Sequence, residues 1–200
     1  MSEPSRRAAH RPSRRQEILE AGIRVVARSG IAASVADVAS ESAMSQASIY
    51  YHFKSKPELF TACVAEVSRR IMAARSSPEA SGSPISTREA VRVVWEWAEH
   101  HRAEAKLLYV WATGGPPEAQ AVRRRFEEHY VRRMRRRMRA LGGTAPLDLA
   151  VERVASRTYM TLAMSVSESW ADGQPVGGTL ERREIAAALA EVSVRITGVP

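Results

Sequence analysis

Gln46, Ala47 and Ser48 follow a short turn in the run SVADVASESAMSQASIYYHFKSKPELF, residues 34–60. Their side chains suit the edges of DNA bases. A glutamine forms paired hydrogen bonds to adenine N6 and N7, a serine donates or accepts, and an alanine methyl meets a thymine methyl. Catalytic chemistry is poorly served. The chain offers no paired catalytic geometry, no phosphate-binding glycine loop and no ligand-spaced Cys/His cluster. No catalytic residue, metal ligand or cofactor is therefore expected. His100-His101 with His129 do not change this, because adjacent histidines on a helix point about 100° apart.

For these side chains to reach a groove, helices must hold them there. Val35, Val38 and Ala39 suit one face of a short helix, and Ile49 and Phe53 lie one turn apart on another. Ser34 is a natural N-cap for the first helix and Ser45 for the second, with Ala43-Met44 closing the turn between them. That is helix-turn-helix spacing, in which the second helix enters the major groove by its N-terminal residues.

The segment resembles the DNA-binding module of the TetR family of bacterial transcriptional regulators. The resemblance rests on Ser34, Val38-Ala39, Met44-Ser45, Ile49-Tyr50-Tyr51-His52-Phe53 and Ser55-Lys56-Pro57-Glu58-Leu59. It covers roughly residues 12–72, and its specific part is the run from Ile49 to Leu59. The resemblance makes Gln46, Ala47 and Ser48 the base readers. It places Ser34, Tyr50, Tyr51, His52 and Lys56 at positions that grip phosphate or sugar, with Ser45 adding a DNA role to its cap. Read without the family, Tyr50 also suits a core aromatic, His52 a C-terminal cap and Lys56 a solvated cation. The family usually has glycine where this chain has Ala43. A positive φ there would cost a residue with a Cβ roughly 1 kcal/mol, so either the turn avoids it or the strain is tolerated.

The bulk numbers fit this picture. The 200 residues carry 30 Lys and Arg against 22 Asp and Glu, a formal net charge of +8, which favours a polyanionic partner. Cys63 is the only cysteine, so an intrachain disulfide is excluded and a reducing cytoplasm fits. No apolar run is long enough for a membrane span, and no secretory signal is apparent, so a cytoplasmic, nucleoid-associated protein is expected.

The pattern predicts an all-α chain of about nine helices. Residues 1–11 form a flexible basic arm, 12–72 the DNA-binding domain with its motif at about 35–54, and 73–200 an effector-binding and dimerisation domain. Helices are expected over about Ser13–Ser29, from Pro57 to about Arg75, Thr87–His101, Lys106–Trp111, Glu118–Leu141, Pro146–Asp172 and Leu180–Ile196. Residues 76–87 read as a linker.

Aromatic and methionine side chains in this second half suit either a core or an adaptable apolar pocket. The family's usual effector site favours the pocket, with Trp95, Tyr109, Trp111, Tyr130, Tyr159, Met160 and Met164 as lining. Apolar residues at Val151, Val154, Thr158, Leu162 and Val166, then Ile185, Leu189, Val192 and Ile196, recur at helical spacing. They suit core or interface, and the resemblance implies an intersubunit bundle of the last two helices. The implied protein is a homodimeric repressor of a palindromic operator, released by a small molecule. Control by a protein partner, or no sensor at all, is the alternative. The arginines of RRRFEEHYVRRMRRRMR, residues 123–139, read as a solvated face balanced by acids, or else as a second nucleic-acid surface or an anionic-effector site.

Overall fold

Helix α1 (Arg14–Ser29) begins where the Ser13 hydroxyl accepts the backbone N–H of Gln16, and it ends at Gly30, whose φ of 61° is open to glycine. The computed structural model describes residues 13–79, 85–141, 149–171, 173 and 181–197. The expected basic arm and the expected starts of the last two helices, at Pro146 and Leu180, lie outside the described residues. After a 3₁₀ turn at Gly30–Ala32 come α2 (Val35–Glu41), α3 (Gln46–His52) and α4 (Lys56–Glu79). The rest is α5 (Thr87–His100), α6 (Arg102–Lys106), a π-turn at Leu107–Trp111, α7 (Pro117–Leu141), α8 (Leu149–Ala171) and α9 (Arg182–Thr197). The fold is all-α, with nine α-helices and no strand among the described residues.

Two boundaries correct the sequence reading. Helix α4 runs on to Glu79, through the start of the expected linker, because serines and a late proline weaken a helix without stopping it at once. The short helix expected at Lys106–Trp111 starts at Arg102 and then widens into the π-turn, whose closing bond runs from Ala112 N–H to the Leu107 carbonyl at 2.9 Å.

Helix α4 is the spine. Val64, Val67 and Ile71 are fully buried between α1 on one side and α7 on the other. Each such side chain contributes about 1.5–3 kcal/mol by leaving water. The α1–α4 crossing is close: a Cβ on Gly22 would stand 2.8 Å from Cys63 Sγ. Burial pushes the Cys63 thiol up to about 12, so it stays protonated and unreactive. Arg70 of α4 ties the halves together by bonding Glu20 on α1 and its own Glu66, and by reaching Glu104 on α6 at 3.6 Å.

Candidate nucleic-acid interface and interior cavity

The α2–α3 turn settles the question raised by Ala43. Its φ is 52°, in the left-handed region, so the strain is accepted rather than avoided. Two bonds hold it there. Ala43 N–H reaches the Ser40 carbonyl at 3.2 Å, and Met44 N–H reaches the Ala39 carbonyl at 2.9 Å. This crossed pair is the Schellman ending of α2, which satisfies carbonyls that would otherwise be left open.

Helix α3 then starts from Ser45, whose hydroxyl accepts the Ser48 N–H at 3.1 Å and lies 3.0 Å from the Ser48 hydroxyl. Ile49 and Phe53 are buried and anchor the helix, which leaves Gln46 and Ala47 exposed and Ser48 half-buried at its leading end. Tyr50 is 49% and Tyr51 86% exposed, so neither is a core aromatic. His52 is half-buried with its ring 5.1 Å from that of Tyr51. Ser34 caps α2 in a reciprocal box: Asp37 accepts its N–H and hydroxyl, while the Ser34 oxygen accepts Asp37 N–H. The Ser34 hydroxyl and N–H hold the Asp37 carboxyl below its usual range. The Lys56 ammonium donates to the Ile31 carbonyl at 2.8 Å, which pins the start of α4 and leaves further N–H groups on an exposed side chain. All nine residues expected to meet DNA thus lie between the N-cap of α2 and the first turn of α4.

Six of the seven pocket residues, Trp95, Tyr109, Tyr130, Tyr159, Met160 and Met164, line one interior cavity among α5, the π-turn, α7 and α8. Its volume is about 30 Å³, room for a water or two rather than an organic molecule. Trp111 departs from the expectation. Its indole turns away, donates to the Ala27 carbonyl at 3.3 Å and packs on Gly30, because the π-turn shifts the helical phase past Tyr109. Six further residues, Val91, Val94, Phe126, Ala163, Ser167 and Leu189, complete the lining and are not among the expected ones. Their signal was spacing: Val91 and Val94 share the Trp95 face, and Ala163 and Ser167 continue the Tyr159–Met160 face.

The dimer stripe divides. Val151, Val154 and Thr158 are exposed, with Leu162 and Val166 half-buried beside them. Val192 is exposed and Ile196 half-buried on α9. Ile185 and Leu189 depart from the interface expectation, since they face inward and are buried within the protomer. The arginine run is partly spent on acids. Arg135 and Arg139 grip the buried Glu152 at 2.5 and 2.8 Å and, Arg139 first, hold its carboxyl below the ordinary value. Arg123 meets Glu127 at 3.3 Å, and Arg137 is buried. Among the described residues no group of His, Cys, Asp and Glu is placed to hold a metal.

Comparison with known proteins shows where the chain resembles them. A model described as "Bacterial regulatory proteins, tetR family" matches residues 18–63. The HTH-type nicotine-responsive transcriptional repressor HdnoR of Paenarthrobacter nicotinovorans is 29% identical over 124 residues, 58% of this chain and 63% of that protein. The match thus spans less than two thirds of that relative. Among solved structures, the multidrug binding protein EbrR complexed with imidazole superposes with a TM-score of 0.63 at 25% identity, over 95% of this chain and 97% of that one. A transcriptional regulator from Rhodococcus sp. Rha1 superposes at 0.72 with 17% identity, over 94% and 98% of the two chains, a likeness of fold.

Proposed function

Because this chain carries a helix-turn-helix module of the TetR family on an all-α frame, we propose that it is a dimeric, DNA-binding transcriptional repressor released by a small molecule. The observation that carries the reading is the leading end of α3. It is rigidly capped by Ser45, anchored by Ile49 and Phe53, and exposed at Gln46 and Ala47. In this reading residues 12–72 form the DNA-binding head and 73–200 the sensing and pairing body. The unit works in the cytoplasm beside the nucleoid. No described helix is long and apolar enough to cross a membrane.

One module spans few base pairs, so affinity comes from pairing two recognition helices about 34–36 Å apart on a palindrome. The exposed Val151, Val154, Thr158 and Val192, with Leu162, Val166 and Ile196 at their edge, support a pairing surface on α8 and α9. Effector binding shifts the equilibrium only by preferring one spacing of the heads, with coupling of about 1–3 kcal/mol. Helix α4 and the Arg70 bonds to Glu20 and Glu104 join the halves that must move. Selection of bound duplexes from a random pool should return an inverted repeat. A pool that stays random would overturn the reading.

The small cavity favours a second reading, a regulator controlled by a protein partner or without a sensor. Operator affinity that ignores every small molecule found to bind the body would support it.

A further inference from the structure

The interior cavity has a neighbour. A surface groove of about 660 Å³ runs between α5 and α9, with Arg88, Arg92, Glu96 and Glu99 on one bank and Arg183 and Glu191 on the other. That volume lies within the range of organic-ligand sites, whereas the cavity falls far below it. Among the described residues one side chain lines both spaces, and it is Trp95. The indole is 5% exposed, and its buried N–H finds no hydrogen-bond acceptor among the described residues. An N–H left in that state is costly, and an acceptor brought by a ligand would satisfy it.

We propose that Trp95 is the movable wall and the hydrogen-bond donor of a two-compartment site for neutral, elongated aromatic molecules bearing an acceptor beside the ring. The proposal rests on the effector reading above and names the ligand class. The inner compartment fixes the aromatic part, since Phe126, Tyr130, Tyr159, Met160 and Met164 present faces and thioethers and no charge. The groove fixes neutrality. Its three arginines stand against three glutamates, with Arg88 bound to Glu191 at 2.7 Å and Arg92 to Glu96 at 2.5 Å. An anion would have to break those pairs, and a charge of either sign carried past them would enter an apolar space uncompensated. The floor of Ala186 and Ala190, with Ala187 at its exposed edge, leaves the room that a displaced indole needs. Across the cavity side, Trp170 touches Trp95 at 5.3 Å between ring centroids, so a swing of one ring is felt by the other.

The experiment uses the full chain and two probes of near-equal shape, 2-acetylnaphthalene and 2-ethylnaphthalene, which differ in the acceptor carbonyl. Calorimetric titration should show the ketone binding tighter by about three- to tenfold. Trp95→Phe, which keeps a ring and removes the N–H, should bind both probes and lose the preference. Ala187→Trp, on the exposed edge of the groove, should slow ketone association in stopped-flow fluorescence. Equal affinity of the two probes, a preference that survives Trp95→Phe, unchanged association in Ala187→Trp, or no binding of either probe at its solubility limit would each overturn the proposal. Operator affinity measured in the same samples separates the two claims. Trp95-dependent ketone binding that leaves operator affinity unchanged supports this site and removes the effector reading.

Discussion

Replacing Gly30 by alanine should damage the joint between the head and the body. Gly30 sits at φ 61° and ψ −143°, a conformation that costs a residue with a Cβ about 1–3 kcal/mol. The added Cβ would also stand 2.8–2.9 Å from three atoms of the Trp111 ring, too close to keep. The indole must then move, and its bond to the Ala27 carbonyl, worth about 0.5–1.5 kcal/mol, is lost. Together Gly30→Ala should cost about 2–4 kcal/mol of stability. Urea unfolding of the variant measures the total, and a double-mutant cycle with Trp111→Ala separates the parts. In the Trp111→Ala background only the backbone cost should remain. A loss below about 0.5 kcal/mol, or the same loss in both backgrounds, would refute the reasoning.

Ala43→Gly should act in the opposite sense, relieving the left-handed turn by about 1 kcal/mol and raising Tm by about 2–4 °C in calorimetry. Gln46→Ala should weaken specific DNA binding by about 1–3 kcal/mol at one base pair, and a repeat selection returning the same sequence and affinity would show that Gln46 reads nothing. Val154→Asp, at a site 66% exposed in the protomer, should leave the fold intact and shift sedimentation from dimer to monomer. Acid should weaken the ion pairs within α4 that orient Arg70. Hydrogen bonds from Arg69 first and then Arg70, against burial, hold the Glu66 carboxyl from 4.5 down to about 2. Its folded value lies below its unfolded one, so its contribution is present above about pH 4.5 and is lost as pH falls toward 2. Urea midpoints over that window should fall, and fall less in a variant with Arg69→Met and Arg70→Met.

How far the sequence was legible depended on whether local chemistry or packing decided each feature. Helix α3 was legible because Ser45 caps it and Ile49 and Phe53 anchor it, all within nine residues. Ala43 was not, since the sign of φ in a turn is set by the Schellman bonds around it rather than by the residue itself. The aromatic cavity was legible in kind, and Trp111 was misplaced because the π-turn adds a residue that a 100° step per residue does not foresee. Leu189 and Ile185 look like Val192 in sequence. Only packing sends the first two inward, since core and interface ask for the same apolar stripe.

Hydroxyl-radical footprinting of the dimer on its selected duplex tests the central claim most directly. Two protected half-sites centred about 10 base pairs apart on an inverted repeat are expected, with protection lost for a scrambled sequence at the same salt. Uniform protection of any duplex, or a single protected patch unrelated to a repeat, would contradict the pairing of two α3 helices in successive major grooves.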